Sequence, residues 1–278
     1  MKALFDQISY KISKNITRKY STSFSFGIFL LNKKLHDAIY AIYGYVRVAD
    51  EIVDSFHDFD KEELLKEYRK DTYQALERGI RLNPVLNSFQ ETVSLYNIDR
   101  ELIDTFLDSM EMDLNPQDYE QENFEKYILG SAEVVGLMCL RVFTENDRVF
   151  YEELKPYAMK LGSAFQKVNF LRDLKQDFDT LGRSYFPEID LNNLSQQDKI
   201  NIEADIQNDF NEALIGIKKL PSSSMVGVYS AYMYYQVLLT KIKATAPQEV
   251  MTTRVRVPNS KKIFLMGKCY VQCRLNLI

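Results

Sequence analysis

AIYGYVRVADEIVDSF, residues 41–56, sets three carboxylates, Asp50, Glu51 and Asp54, inside an otherwise apolar helical pattern. Residues three and four apart on a helix share a face, so Asp50 and Asp54 lie in line with Arg47 and Tyr43. Glu51 points roughly 100° away. Like charges stacked four apart destabilise a helix by about a few tenths of a kcal/mol. Water must screen the pair, or a cation must bind it.

The same theme returns in LGSAFQKVNFLRDLKQDFDTLGRSYFP, residues 161–187. Here Asp173 and Asp177 are four apart and follow Gln166 and Asn169 along one face, while Val168, Phe170, Leu171 and Leu174 cover other directions. With 39 acidic residues in 278, an acidic partner at i+4 arises by chance for roughly one acidic residue in seven, so one pair decides little. Two matched stripes, each with a polar lead-in, carry more weight.

The rest of the chain frames these stripes as parts of one all-α domain spanning residues 1–278. Ten Gly and seven Pro are few for this length, and no alternating β-branched run argues for a sheet. Turn residues near Asn32, Asn83-Pro84, Asn115-Pro116, Thr144–Asn146, Gly182, Pro187, Pro221, Pro247 and Pro258 divide the sequence into about ten helices. No linker tract or fixed-period repeat interrupts them.

A net charge of −4 gives no support to a nucleic-acid partner. Cys139, Cys269 and Cys273 are an odd number and lack the companions of a zinc site, so they read as reduced core thiols. The N-terminus carries charges where a signal peptide needs an apolar core, which makes export unexpected and a cytoplasmic location the expectation. Residues 221–240 are uncharged and long enough to span a bilayer, but their many hydroxyls read instead as a buried helix starting at Pro221. His36 and His57 read as surface residues, and the charge run 61–71 as a solvated helix face. Residues 251–278 hold six Lys or Arg and no acid; this tail is expected either to close over an anionic substrate through Arg254 or to touch an anionic membrane peripherally.

Two acidic stripes facing each other would form a cage of hard oxygen ligands suited to Mg²⁺, which shares its coordination with substrate phosphates. Arg47, Arg172 and Arg183 lie close in sequence and could grip a diphosphate. The 18 Tyr and 17 Phe would then wall an apolar tail and offer π-faces to a carbocation. The plain alternative, aromatics in the core and carboxylates in water, fits periodicity about as well.

YSTSF (20–24), AIYGYVRVADEIVD (41–54), SAEVVGLMCLRVF (131–143), the 161–187 segment and VYSAYMYYQVLLTKI (228–242) resemble, in order and separation, the landmark segments of the squalene/phytoene synthases, with bacterial phytoene synthases the nearest likeness. The resemblance implies an isoprenoid synthase fold with a central cavity between two Asp-rich helices. It also implies head-to-head condensation of two prenyl diphosphates through a cyclopropyl diphosphate, with Mg²⁺ (or Mn²⁺) and without NADPH. Two geranylgeranyl diphosphates would give phytoene, the first step of carotenoid biosynthesis. By position, Asp50, Asp54, Asn169, Asp173 and Asp177 are the implied metal ligands. Arg47, Arg172 and Arg254 are implied diphosphate contacts, and Tyr43, Gln166, Tyr185 and Tyr235 implied cavity residues near the reacting carbons. Ser21 falls in the substrate-binding YSTSF segment, and Phe24, Val134 and Val135 match apolar wall positions.

Glu51 departs from the Asp-Asp pair usual in the first motif; lying off the stripe, it is expected to matter little. Rival readings are a squalene or dehydrosqualene synthase acting on farnesyl diphosphate, and a scaffold that has lost its chemistry, which would be free to lose the aspartates this chain retains. A head-to-tail elongating synthase lacks support because its arginine-flanked Asp-Asp motif is missing. No G-x-G-x-x-G fingerprint is present, although this family does not bind nicotinamide that way. Counting back from Asp50 at 1.5 Å per residue, Tyr43, Tyr40 and His36 lie about 10, 15 and 21 Å away. Tyr40 is therefore expected to line the path of the substrate tail.

Overall fold

The computed structural model describes residues 1–114, 121–181, 186–187, 194–275 and 277–278; in 175–181 it describes the backbone only. The described residues form thirteen α-helices and no strand: α1 (Lys2–Tyr20), α2 (Thr22–Phe29), α3 (Lys33–Asp54), α4 (Lys61–Arg78), α5 (Pro84–Tyr96), α6 (Arg100–Met112), α7 (Gln121–Ile128), α8 (Val134–Phe143), α9 (Arg148–Leu181), α10 (Gln196–Ile217), α11 (Ser222–Lys243), α12 (Pro247–Val250) and α13 (Asn259–Arg274). The three beyond the expected ten include the one-turn α12 and the short α2 and α7.

The predicted turn residues that lie among the described residues fall at or between helix ends, Asn115-Pro116 and Gly182 lie outside the described residues, and further ends at Ser21, Ser55, Gly79 and Asn97 divide the chain more finely. The Asn32 side chain accepts from the Lys34 amide at 3.1 Å to start α3. Asn83 caps α5 with Pro84 at its first position, and Pro221, Pro247 and Pro258 open α11, α12 and α13. Between α7 and α8 the helix widens into a π-turn, Leu129–Glu133, which re-aims the side chains after it.

Two apolar clusters build the core. One joins α3, α5, α6 and α8 around Tyr45, whose ring stacks on Phe89 at 3.7 Å and packs against Tyr68 and Phe106. The other joins α9, α10, α11 and α13 around Phe210 and Leu238. At the crossing of the π-turn with α9, a Cβ on Gly162 would stand 2.7 Å from the Ala132 carbonyl. Only glycine lets these backbones approach so closely. Residues 221–240 form the buried helix α11, and no helix among the described residues is long and apolar enough to cross a membrane. The charge run on α4 faces water, with Leu65 and Tyr68 turned inward.

Candidate active site

A cavity of about 550 Å³ lies among α2, α3, the π-turn, α8, α9, α10 and α11. From α3 it is lined by Ile39, Ile42, Tyr43, Val46, Arg47 and Asp50, and from the second half of α9 by Phe165, Gln166, Asn169 and Arg172. The two polar stripes expected from the sequence thus end at the same cavity. Deeper walls are apolar or small: Val135, Gly136 and Cys139 from α8, Leu154, Tyr157, Ala158 and Leu161 from the first half of α9, and Ala213, Gly216 and Ile217 from α10. Burial pushes the Cys139 thiol up to about 12, so it acts as an apolar wall group.

The polar end is an ion-pair network. Arg47 reaches Asp50 at 3.3 Å and closes a tighter pair with Glu51, while its guanidinium lies 4.5 Å over the Tyr20 ring. The Arg47 Nε is buried without a hydrogen-bond partner. Asp173 is clasped twice: Arg172 donates to it at 3.0 and 2.5 Å, and Arg254, reaching in from the segment before α13, donates at 2.7 and 3.2 Å. Burial pulls the Arg172 pKa down, but the hydrogen bond and charge of Asp173 outweigh it and hold the guanidinium above its usual value.

Aromatic rings follow immediately inward. Phe165 stacks on Tyr235 at 4.0 Å, and Phe24 contacts Tyr43, Phe165 and Tyr235 at 5.5–6.3 Å. Tyr235 donates to the Asn169 side-chain carbonyl at 3.3 Å. Burial raises its phenol to about 12 and also raises that of Tyr43, so both stay neutral at physiological pH. Ser21 caps α2 by accepting from the Phe24 amide at 3.2 Å and lines the mouth.

The structure therefore brings Ser21, Phe24, Tyr43, Arg47, Asp50, Val135, Gln166, Asn169, Arg172, Tyr235 and Arg254 to one cavity. Asp173 joins them through its two arginines. Asp54, one turn beyond Asp50 at the end of α3, is half-buried and does not line the cavity wall. The backbone of Asp177 continues the α9 stripe by one turn, but its side chain lies outside the described residues, as do Arg183 and Tyr185 entirely.

Two expectations are corrected, and a third position shows a contact that its helical face did not announce. Val134 packs in the first core cluster, and only its neighbour Val135 faces the cavity; the π-turn just before it sets that register. Tyr40 is turned away toward α1, where Lys14 lies 5.5 Å from its ring, and the cavity face of α3 runs instead through Ile39, Ile42 and Val46. Glu51 is off the aspartate stripe, yet it grips Arg47, so it is coupled to the site through that guanidinium. Two residues escaped the sequence reading. Phe165 hides among ordinary core aromatics. Lys262, on α13, donates to Thr22 Oγ1 at 2.9 Å beside the mouth, and burial and the Arg172 charge lower its pKa.

The donors suit a hard divalent cation: carboxylate and amide oxygens from α3 and α9, with arginines alongside for an anion. Among the described residues no three His, Cys, Asp or Glu side chains converge on one point, so a metal would be held by carboxylates contributed from each helix together with ligand oxygens.

Comparison with known proteins agrees with this geometry. The squalene/phytoene synthase profile matches residues 17–261. The 15-cis-phytoene synthase of Synechocystis is 26% identical, over 96% of this chain and 86% of its own length. The 4,4'-diapophytoene synthase of Staphylococcus haemolyticus is also 26% identical, over 72% of this chain and 70% of its own. Among solved structures, a dehydrosqualene synthase superposes with a TM-score of 0.84 at 20% identity, covering 97% of this chain and 98% of that one. With a profile match running nearly end to end, the chain belongs to the squalene/phytoene synthase family.

Proposed function

We propose that the protein condenses two prenyl diphosphates head to head, and that its substrate is geranylgeranyl diphosphate and its product phytoene. The observation that carries this reading is the cavity itself: one end gathers Asp50, Asp173, Arg47, Arg172 and Arg254, and apolar walls run from there down α9 to Leu154. From Asn169 to Leu154 that wall is fifteen residues, about 22 Å, long enough for a four-unit prenyl tail of about 18 Å.

In this reading Arg47, Arg172 and Arg254 bind diphosphate oxygens, exchanging carboxylate partners for phosphate ones at little cost in charge-assisted hydrogen bonds, and Lys262 joins them by leaving the Thr22 hydroxyl. Asp50, Asp54, Asn169, Asp173 and Asp177 would hold Mg²⁺. When bound, Mg²⁺ neutralises charge on the departing diphosphate. The allylic C–O bond of one substrate breaks, its electron pair leaving with diphosphate, and the double bond of the second substrate attacks the cation. Loss of a proton gives the cyclopropyl diphosphate, whose own ionisation, rearrangement and deprotonation yield the hydrocarbon. Tyr43, Phe24, Phe165 and Tyr235 present neutral π-faces beside the reacting carbons, and the walls exclude water that would quench a cation.

Farnesyl diphosphate is the rival substrate, since a three-unit tail also fits the wall, and the diapophytoene synthase likeness favours it. Purified protein incubated with Mg²⁺ and each diphosphate, with and without NADPH, and analysed for hydrocarbon separates the readings. Phytoene from geranylgeranyl diphosphate without NADPH supports the proposal; product from farnesyl diphosphate alone overturns the chain length, and no hydrocarbon from either overturns the activity.

A further inference from the structure

The C-terminal helix presents an apolar face that the cavity does not use. α13 seats Leu265 and Cys269 against α11, and the Lys262 amine turns inward to Thr22 and the Tyr234 ring. The opposite side is exposed: Ile263 60%, Phe264 72%, Tyr270 45%, Val271 52% and Leu275 62%. At 100° per residue these five positions fall within an arc of about 140°, with Lys268 and Lys261 along one edge and Arg274 inside it. Single exposed apolar residues are ordinary on a protein surface; five on one helix face are not.

Charge identifies what covers this face. Residues 251–278 carry six Lys or Arg and no Asp or Glu, while the preceding 250 residues carry 29 basic against 39 acidic side chains. The apolar strip is therefore set in a segment that is basic throughout, in a protein whose net charge is negative. A symmetric contact between two copies would press Lys261, Lys268 and Arg274 against their own equivalents with no acid on the patch to answer them. An anionic partner that also accepts Phe264 and Ile263 into an apolar phase satisfies both features.

We propose that α13 is a membrane-docking surface that lies in the interface of a bilayer containing anionic phospholipid, with its apolar strip among the acyl chains and its lysines at the headgroups. The helix adjoins the cavity mouth: Lys262 is bonded to Thr22 beside it, and Arg254, shortly before the helix, holds Asp173. Exposed Tyr20, Phe56 and Phe59 belong to the segments next to Ser21 and Asp54. A docked α13 thus sets the mouth at the lipid surface. The exposure and charge of α13 are the same whichever reaction the cavity performs.

Vesicle flotation of the full chain tests it. Vesicles of phosphatidylcholine with phosphatidylglycerol should carry the protein up at low salt and pure phosphatidylcholine vesicles should not. Two double variants, Phe264→Ser with Val271→Ser and Lys261→Glu with Lys268→Glu, should each lower partitioning by roughly tenfold or more. Thermal melts confirm that these exposed changes leave the fold intact. Equal binding to both vesicle types, no binding to either, or wild-type partitioning by the Phe264→Ser/Val271→Ser protein overturns the proposal. So does a wild-type dimer in sedimentation that this variant converts to monomer.

Discussion

Ala158→Phe should convert the protein into one that discriminates against the longer substrate. Ala158 lines the cavity on α9, eleven residues before Asn169 and so about 16 Å from it. A prenyl unit adds four backbone bonds and reaches about 4.5 Å when extended. A tail whose diphosphate sits at Asn169 and Arg172 then ends about 13.5 Å down with three units, short of Ala158, and about 18 Å down with four, past it. A phenyl ring there occupies space that only the fourth unit needs. Overfilling a packed site costs about 1–3 kcal/mol, so condensation of geranylgeranyl diphosphate should fall by roughly 5- to 150-fold. Condensation of farnesyl diphosphate should change by less than about threefold. The helix crossing here should survive, because the Ala158 atom close to α8 is its carbonyl oxygen, 3.1 Å from where a Gly136 Cβ would be. Hydrocarbon formed from each diphosphate by wild type and variant, with melts of both, is the assay. Equal losses on the two substrates, or none on either, would show that the tail does not run along α9. Tyr40→Trp is the control: Tyr40 faces α1, so any loss it causes should be the same for both substrates.

Asp50→Asn and Asp173→Asn should each nearly abolish turnover while leaving the melting temperature within a few degrees; full activity in excess chelator would remove the metal from the reading. Glu51→Gln should raise the KM for prenyl diphosphate, because the Arg47 guanidinium loses the carboxylate that orients it, and unchanged kinetics would make that pair incidental. Gly216→Ala should destabilise the fold by about 1–3 kcal/mol in urea titration, since a Cβ there would stand 2.3 Å from the Tyr157 Cβ; a neutral result would mean α10 can shift away. Glu133, on the π-turn, is pushed up to about 7 by burial and then by the Asp209 charge. A raised carboxyl pKa contributes stability that is full below about 4.5 and lost as pH rises through 7. Glu133→Gln should therefore gain stability relative to wild type between pH 5 and pH 8, and a pH-independent difference in melting temperature would contradict this.

How much of this could be read from the sequence depends on what each residue's neighbours are. The two acidic stripes were legible because helical periodicity is local: Asp50 and Asn169 need only their own helices to be placed on a face, and the structure opens both onto one cavity. Helix starts were legible for the same reason, since Asn32, Pro84 and Pro221 act on the backbone beside them. What failed needed a partner from elsewhere. Tyr40 and Ile39 are adjacent on α3, and which of them faces the cavity is decided by α1, whose Lys14 lies over the Tyr40 ring. A face drawn through Tyr43 and Asp50 runs on through either residue, so periodicity alone could not choose. Val134 and Val135 present the same ambiguity, resolved by a π-turn that no propensity announces.

Glu51 shows a different limit. It lies off the aspartate stripe, as its helical face requires, yet a long arginine reaches carboxylates on two faces at once. Arg47 contacts Asp50 three residues on and Glu51 four residues on. Both spacings bring side chains within reach, so the guanidinium couples the position that departs from the usual motif to one that keeps it. Arg172 and Arg254 treat Asp173 alike, one from the same helix and one from a segment 81 residues away. Each described stripe aspartate at the cavity mouth is thus positioned by guanidinium groups, and loss of Arg254 should loosen Asp173 as well as weaken diphosphate binding. Arg254→Lys, which keeps the charge but cannot clasp both oxygens in a planar fork, separates the two. A raised KM alone would assign Arg254 to the diphosphate, and a fall in kcat with a higher Mg²⁺ requirement would assign it to Asp173.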